Sequence, residues 1–211
     1  MPNYYCLAIY MNKYFKFSLV LMSSMSLLAC NSAQNNSSSS ANSSFIGVDV
    51  TASTAFKAEI NTKDVAGKSF NLQKDDKLNG KSIDGTLVTF GFTQCPDYCP
   101  TTLSKIMQTQ KILGDNKNIR VVFVSIDVDN DKPDVLKDYL TAFNPNYIGI
   151  STTKDELEKI KSNFKVTSFK EKNTFNHTTG AYFVDKSGNI RIYMPYTMNA
   201  EQMAEDINKL I

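Results

Sequence analysis

Cys95 and Cys99 are the residues of this chain best equipped for chemistry. They stand in Phe90-Gly-Phe-Thr-Gln-Cys-Pro-Asp-Tyr-Cys-Pro-Thr-Thr102, three residues apart, just after an apolar run and just before a helical pattern. A thiolate is both a strong nucleophile and a soft metal ligand. A cysteine near a helix N-terminus feels the positive end of the helix dipole, which favours that form. The C-x-x-x-C spacing is wide enough to chelate a metal and does not forbid a disulfide. It therefore leaves three uses open: a structural disulfide, thiol exchange, or metal binding. His177 is the only histidine, in Phe175-Asn-His-Thr-Thr-Gly180. It is either a third ligand or a solvated loop residue.

The elements that must position these groups follow from periodicity. Lys57–Asn61 and Ser69–Leu72 flank Asp64 to Gly67 and predict a hairpin. Thr86–Phe92 is a short apolar run of β formers, which predicts a buried strand. A helix is expected from Pro100, with Leu103, Ile106, Met107 and Leu113 on one face, ending at Gly114. Ile119–Ile126 predicts a second core strand, and Pro133 opens a helix with Leu136, Tyr139, Leu140 and Phe143 inward. A short strand at Tyr147–Ile150, a helix at Lys154–Phe164, a hairpin around Asp185 to Gly188, and a closing helix at Ala200–Leu210 complete the order. Strands alternating with helices imply a mixed sheet with parallel pairs, covered on both faces. With a cysteine pair directly after a buried strand, this is an α/β thioredoxin-like fold carrying β-hairpin insertions, expected over residues 45–211.

Residues 1–29 read differently. An apolar run at 17–29 follows Lys13 and Lys16, and no acidic residue precedes Asp49. That is the pattern of a secretory signal, and the run is shorter than the roughly 20 residues a span needs. Leu27-Leu-Ala-Cys30 resembles a bacterial lipobox, which implies cleavage before Cys30 and lipidation of its sulfur. Residues 30–44, rich in Ser and Asn, predict a flexible tether. The domain is then expected outside the cytoplasmic membrane, held as a lipoprotein on the periplasmic face of a bacterial membrane. After removal of residues 1–29, 21 basic and 21 acidic side chains remain. With no basic block, a nucleic-acid partner is not expected.

The sequence resembles the Sco/SenC family of copper chaperones that serve cytochrome c oxidase. The residues that carry the resemblance are Phe45-x-Gly47-x-Asp49-Val-Thr51, the run Phe90-Gly-Phe-Thr-x-Cys-Pro-Asp-x-Cys-Pro-Thr-Thr-Leu103, Val124-Ser-Ile-Asp127, and His177 before the last hairpin. The chain departs from the family where Asn176 and Thr178 flank the histidine, and where Val128-Asp-Asn-Asp131 follows Asp127. The resemblance implies a copper site formed by Cys95, Cys99 and His177. It also implies an apo copper-site subunit of cytochrome c oxidase, or another copper protein, as partner. The ligand chemistry agrees. Two thiolates and one imidazole suit Cu(I), and with water or a carboxylate they would hold Cu(II), whereas structural zinc wants four protein ligands.

A metallochaperone that is not itself an enzyme is the first reading. The alternative is a thiol–disulfide oxidoreductase that reduces copper-site cysteines of a partner, with Cys95 attacking and Cys99 resolving. A thioredoxin-fold peroxidase fits less well. Such sites want an Arg beside the cysteine, and the only two, Arg120 and Arg191, lie elsewhere in sequence.

Overall fold

The computed structural model describes residues 45–172 and 174–211. The expectations for residues 1–29, for the 30–44 tether and for Cys30 therefore lie outside the described residues. In chain order the elements are β1 (Val48–Asp49), β2 (Asn61–Lys63), β3 (Ser69–Asn71), β4 (Lys77–Leu78), β5 (Lys81–Ser82), β6 (Gly85–Gly91), α1 (Tyr98–Leu113), β7 (Ile119–Ser125), α2 (Pro133–Thr141), β8 (Ile148–Ile150), α3 (Lys154–Phe164), β9 (Ser168–Glu171), β10 (Thr174–His177), β11 (Gly180–Asp185), β12 (Ile190–Pro195) and α4 (Ala200–Asn208).

Six strands form one mixed sheet in the order β1-β12-β11-β6-β7-β8. β6, β7 and β8 run parallel, while β11 pairs antiparallel with β6 and then with β12. Every residue of β6 and β7 is buried, as strands covered on both faces must be. On one face Phe90 meets Phe164 of α3 edge-on at 5.4 Å, and Tyr182 meets both rings. On the other, Gly91 faces Cys99 of α1 and Phe123. This is the expected thioredoxin-like arrangement, with three two-stranded hairpins (β2–β3, β4–β5 and β9–β10) added to it.

A guanidinium enters the core. Arg120, in β7, is buried and donates through Nε to Thr86 Oγ1 (3.0 Å), through Nη2 to the Leu72 carbonyl (2.9 Å), and through Nη1 to the Asp75 carbonyl. Burial lowers its pKa to about 10. Three acceptors and the Phe70 ring at 5.1 Å compensate the buried guanidinium and tie the β3–β4 segment to the sheet.

The boundaries follow local chemistry. α1 starts at Tyr98, two residues before Pro100, because a proline in the first turn removes an N–H that has no intrahelical partner anyway. α3 is capped by Thr153, which accepts from the Glu156 amide. α4 is closed by a reciprocal box between Asn199 and Gln202. Among the described residues no helix is long and apolar enough to cross a membrane.

Candidate metal centre

The two cysteines sit where the central strand hands over to α1. Cys95 is fixed by a turn, its amide donating to the Phe92 carbonyl at 3.2 Å, and Cys99 lies in the first turn of the helix. The Cys99 amide points at Cys95 Sγ at 3.4 Å. The sulfur thus takes the place of an N-cap side chain, since Asp97 makes no cap bond. Both thiols are free and nearly buried, Cys95 at 8% exposure and Cys99 at 3%.

Gly91 makes room for the second sulfur. A Cβ added there would stand 2.6 Å from Cys99 Sγ and 2.8 Å from Phe123 Cζ. The strand backbone and the helix can approach only because that position has no side chain.

His177 arrives from the other side. It was expected in a loop, but it is the last residue of β10, paired with Ser168 of β9. Its Nδ1 lies 2.8 Å from the Thr178 carbonyl. A carbonyl only accepts, so Nδ1 carries the proton and Nε2 presents its lone pair. That lone pair faces Cys99 Sγ at 4.0 Å. Burial pushes the imidazole pKa below its ordinary value, partly offset by the bond to Thr178, so the ring stays neutral at pH 7. A neutral ring with its tautomer set by a backbone carbonyl is the usual state of a histidine ligand. The Phe92 and Phe175 rings wall this side.

Cys99 runs against the expectation of a dipole-lowered thiol. Burial pushes its pKa strongly up, helped by the hydrogen bond with Cys95, and the backbone bond at Phe92 only partly opposes this. Burial outweighs the helix terminus. Cys99 is therefore a protonated thiol at neutral pH, and a metal taking it as ligand must displace that proton. Tyr139 adds an uncommitted donor. Its hydroxyl is the one buried side-chain polar atom without a partner among the described residues, and its pKa is raised by burial, then by Cys99, Cys95 and Asp131.

The donor set is assembled pairwise, Cys99 with His177 and the Cys99 amide with Cys95. No three His, Cys, Asp or Glu side chains stand together at metal-binding distances among the described residues. The set still fits a soft ion, with two thiols and an imidazole nitrogen whose lone pair is already turned inward. Bonds of about 2.3 Å to sulfur and 2.1 Å to nitrogen are together long enough to bridge the 4.0 Å gap. Asp97, inside the motif, is exposed and its carboxylate takes only the Thr101 hydroxyl at 3.4 Å. The site opens to solvent through a cleft of about 360 Å³ lined by Cys95, Pro96, Tyr98, Phe175 and His177.

The loop after Asp127 is organised by two carboxylates of different standing. Asp127 accepts from the Asn130 side chain at 2.7 Å and shapes the turn. Asp131, wholly buried, reaches back to the cysteine loop at Thr93.

Comparison with known proteins gives one consistent result. The SCO1/SenC family description matches residues 58–211. An SCO2-like protein of Rickettsia prowazekii is 33% identical over 150 residues, which is 67% of this chain and 70% of that one. Among solved structures, Bradyrhizobium japonicum ScoI with copper bound is 29% identical, with a TM-score of 0.61 over 74% of this chain and all of that one. A SCO1/SenC family lipoprotein from Bacillus anthracis is 25% identical, with a TM-score of 0.62 over 72% of this chain and 92% of that one.

Proposed function

The chain belongs to the SCO1/SenC family, and from that premise we propose that it binds copper through Cys95, Cys99 and His177 and hands it to the copper-free subunit of a cytochrome c oxidase. The observation that carries the reading is the orientation of His177, whose unprotonated Nε2 faces the Cys99 sulfur at 4.0 Å. Copper is cargo here. The thiols release their protons as they take it, and the neutral imidazole needs no proton removed. Ligand exchange with an incoming partner would proceed through the cleft beside Cys95 and His177. The copper-bound Bradyrhizobium structure supports a copper role. The Bacillus lipoprotein supports a lipid anchor, which in this chain would be Cys30, holding the domain on the extracytoplasmic face.

A second reading has its own support. Cys95, more exposed and at the helix start, suits the attacking thiol of an oxidoreductase, and the buried, protonated Cys99 suits the resolving one. Cys95 thiolate would attack a partner's disulfide, forming a mixed disulfide and releasing one partner thiolate. Cys99 would then give up its proton and close on Cys95, releasing the second partner thiol.

His177→Ala separates the two. Copper stoichiometry and disulfide exchange are measured on the same preparation. Loss of stable copper binding with thiol exchange intact supports the chaperone. Intact copper binding removes the three-ligand site, and collapse of exchange alone transfers the primary function to the oxidoreductase.

A further inference from the structure

Asp131 has no part in the ligand set, yet it is the most heavily committed carboxylate near it. Its exposure is zero. It accepts from the Thr93 hydroxyl at 2.6 Å, from the Thr93 amide at 3.0 and 3.2 Å, and from the Ser125 hydroxyl at 2.6 Å. Its own amide donates to the Asp127 carbonyl at 2.8 Å, and its carbonyl accepts from Ser151. Among the described residues no basic side chain lies within ion-pair distance of it. A buried carboxylate without a cation is costly, and here it is compensated by donors alone.

The donors show what the carboxylate holds. Ser125 closes β7, the strand beside β6. Thr93 lies two residues past the end of β6 and two before Cys95. One oxygen pair thus clamps the start of the cysteine loop to the neighbouring strand. The contacts are short and charge-assisted, which makes them stronger and more directional than neutral ones. The clamp is relayed in two steps: Thr93 is the second residue of the turn that Phe92 opens and Cys95 closes, and the Cys95 sulfur receives the Cys99 amide. Asp129, two residues earlier, differs in every respect. It is exposed and only pairs with Lys154 at the surface.

We propose that Asp131 is a positioning residue for the copper site, holding the Cys95 loop in register through Thr93 so that Cys95 stays beside the Cys99–His177 pair. The inference rests on the copper reading above. Removing a partner that orients a ligand typically weakens metal binding by 10–100-fold. Asp131 acts through one intervening residue, so a loss of about tenfold is expected.

The test uses the folded chain with Asp131→Asn, Thr93→Val and Thr93→Ser. Asp206→Asn serves as control, since Asp206 is equally buried and holds the amides of Ile46 and Gly47 at 3.0 and 2.8 Å. Two quantities are read: Cu(I) affinity by competition with a chromophoric chelator, and amide hydrogen exchange of residues 93–95 in the copper-free protein. Asp131→Asn and Thr93→Val should each lose about tenfold in copper affinity and exchange faster at Thr93. Thr93→Ser, which keeps the hydroxyl, should behave as wild type. Asp206→Asn should lose stability alone. If Asp131→Asn fails to fold, Thr93→Val carries the test. Folded Asp131→Asn or Thr93→Val proteins with wild-type copper affinity overturn the proposal, as does an Asp206→Asn protein that loses copper affinity equally. If the wild type takes up no copper, the chaperone reading falls by itself. The exchange data, with the alkylation rate of Cys95 by iodoacetamide, then decide whether the clamp holds: unchanged values in both variants reject it.

Discussion

Gly91→Ala probes whether the position of the Cys99 sulfur sets the copper site. The new methyl would lie 2.6 Å from Cys99 Sγ and 2.8 Å from Phe123 Cζ. Ordinary contact is about 3.5–4.0 Å, so about 1 Å of separation must be created. The strand has little freedom to supply it, because the Gly91 carbonyl accepts from the Ile126 amide at 2.8 Å and Gly91 pairs with Ser125 of β7. The sulfur must move instead, away from its place 4.0 Å from His177 Nε2. Overpacking of this kind costs about 1–3 kcal/mol. At about 2–4 °C per kcal/mol, the copper-free melting temperature should fall by about 2–12 °C. Copper affinity should fall as well, by at least the tenfold lost when ligand positioning is disturbed. Gly149→Ala is the matched control. Its methyl would crowd Leu140 at 2.9 Å and Val65 at 3.1 Å, touching no cysteine. The assay is thermal melting of both copper-free proteins beside Cu(I) competition on both. A folded Gly91→Ala protein with the affinity of Gly149→Ala would refute the reasoning, since Cys99 would then not be held against β6 as a ligand must be.

Copper that binds only the folded chain should stabilise it by about 4 kcal/mol at a thousandfold excess over Kd, raising the melting temperature by about 8–16 °C; an unchanged melt after desalting would count against binding. The pH response of the copper-free protein should carry two signatures. Cys99 has a folded pKa raised by burial, so its stabilising contribution is present below the ordinary thiol value of about 8.5 and is lost as pH rises above it; Cys99→Ala should flatten that alkaline loss. His177 has a folded pKa lowered by burial, so its contribution is present above the ordinary value of about 6.5 and is lost as pH falls below it toward the lower folded value; His177→Ala should flatten the acid side. Melting temperature against pH for the three proteins checks both, and parallel curves would reject the burial argument. Cys30→Ser should leave the protein unlipidated and release it from the membrane fraction, and a wild-type chain already found in the soluble fraction would reject the anchor.

The central strands were legible because their signal is dense. Thr86–Phe92 and Ile119–Ile126 are dense in apolar and β-branched residues, and the observed strands end within one residue of them. The cysteine pair was legible from its place between a strand and a helix. The setting of His177 was not. β9 and β10 are mostly exposed and joined through Lys172, which adopts a positive φ of 54° without being glycine, so no turn signature marks the hairpin. The alternation of Phe175 and His177 with Thr174 and Asn176 was the only available sign. Cys99 misled because helix position is visible in sequence while burial is not. Asp131 was hidden among neighbouring acids, and only tertiary packing separates it from Asp129. Gly91 carried a usable signal, since a glycine inside a strand marks a close backbone approach.

The central claim is that one copper ion is held by two sulfurs and one imidazole. X-ray absorption at the copper K-edge, on the Cu(I)-loaded chain and its His177→Ala variant, tests it most directly. Two sulfur scatterers and one imidazole nitrogen are expected in the wild type, with the nitrogen lost in His177→Ala. A first shell identical in both proteins, or one lacking two sulfurs, would contradict it.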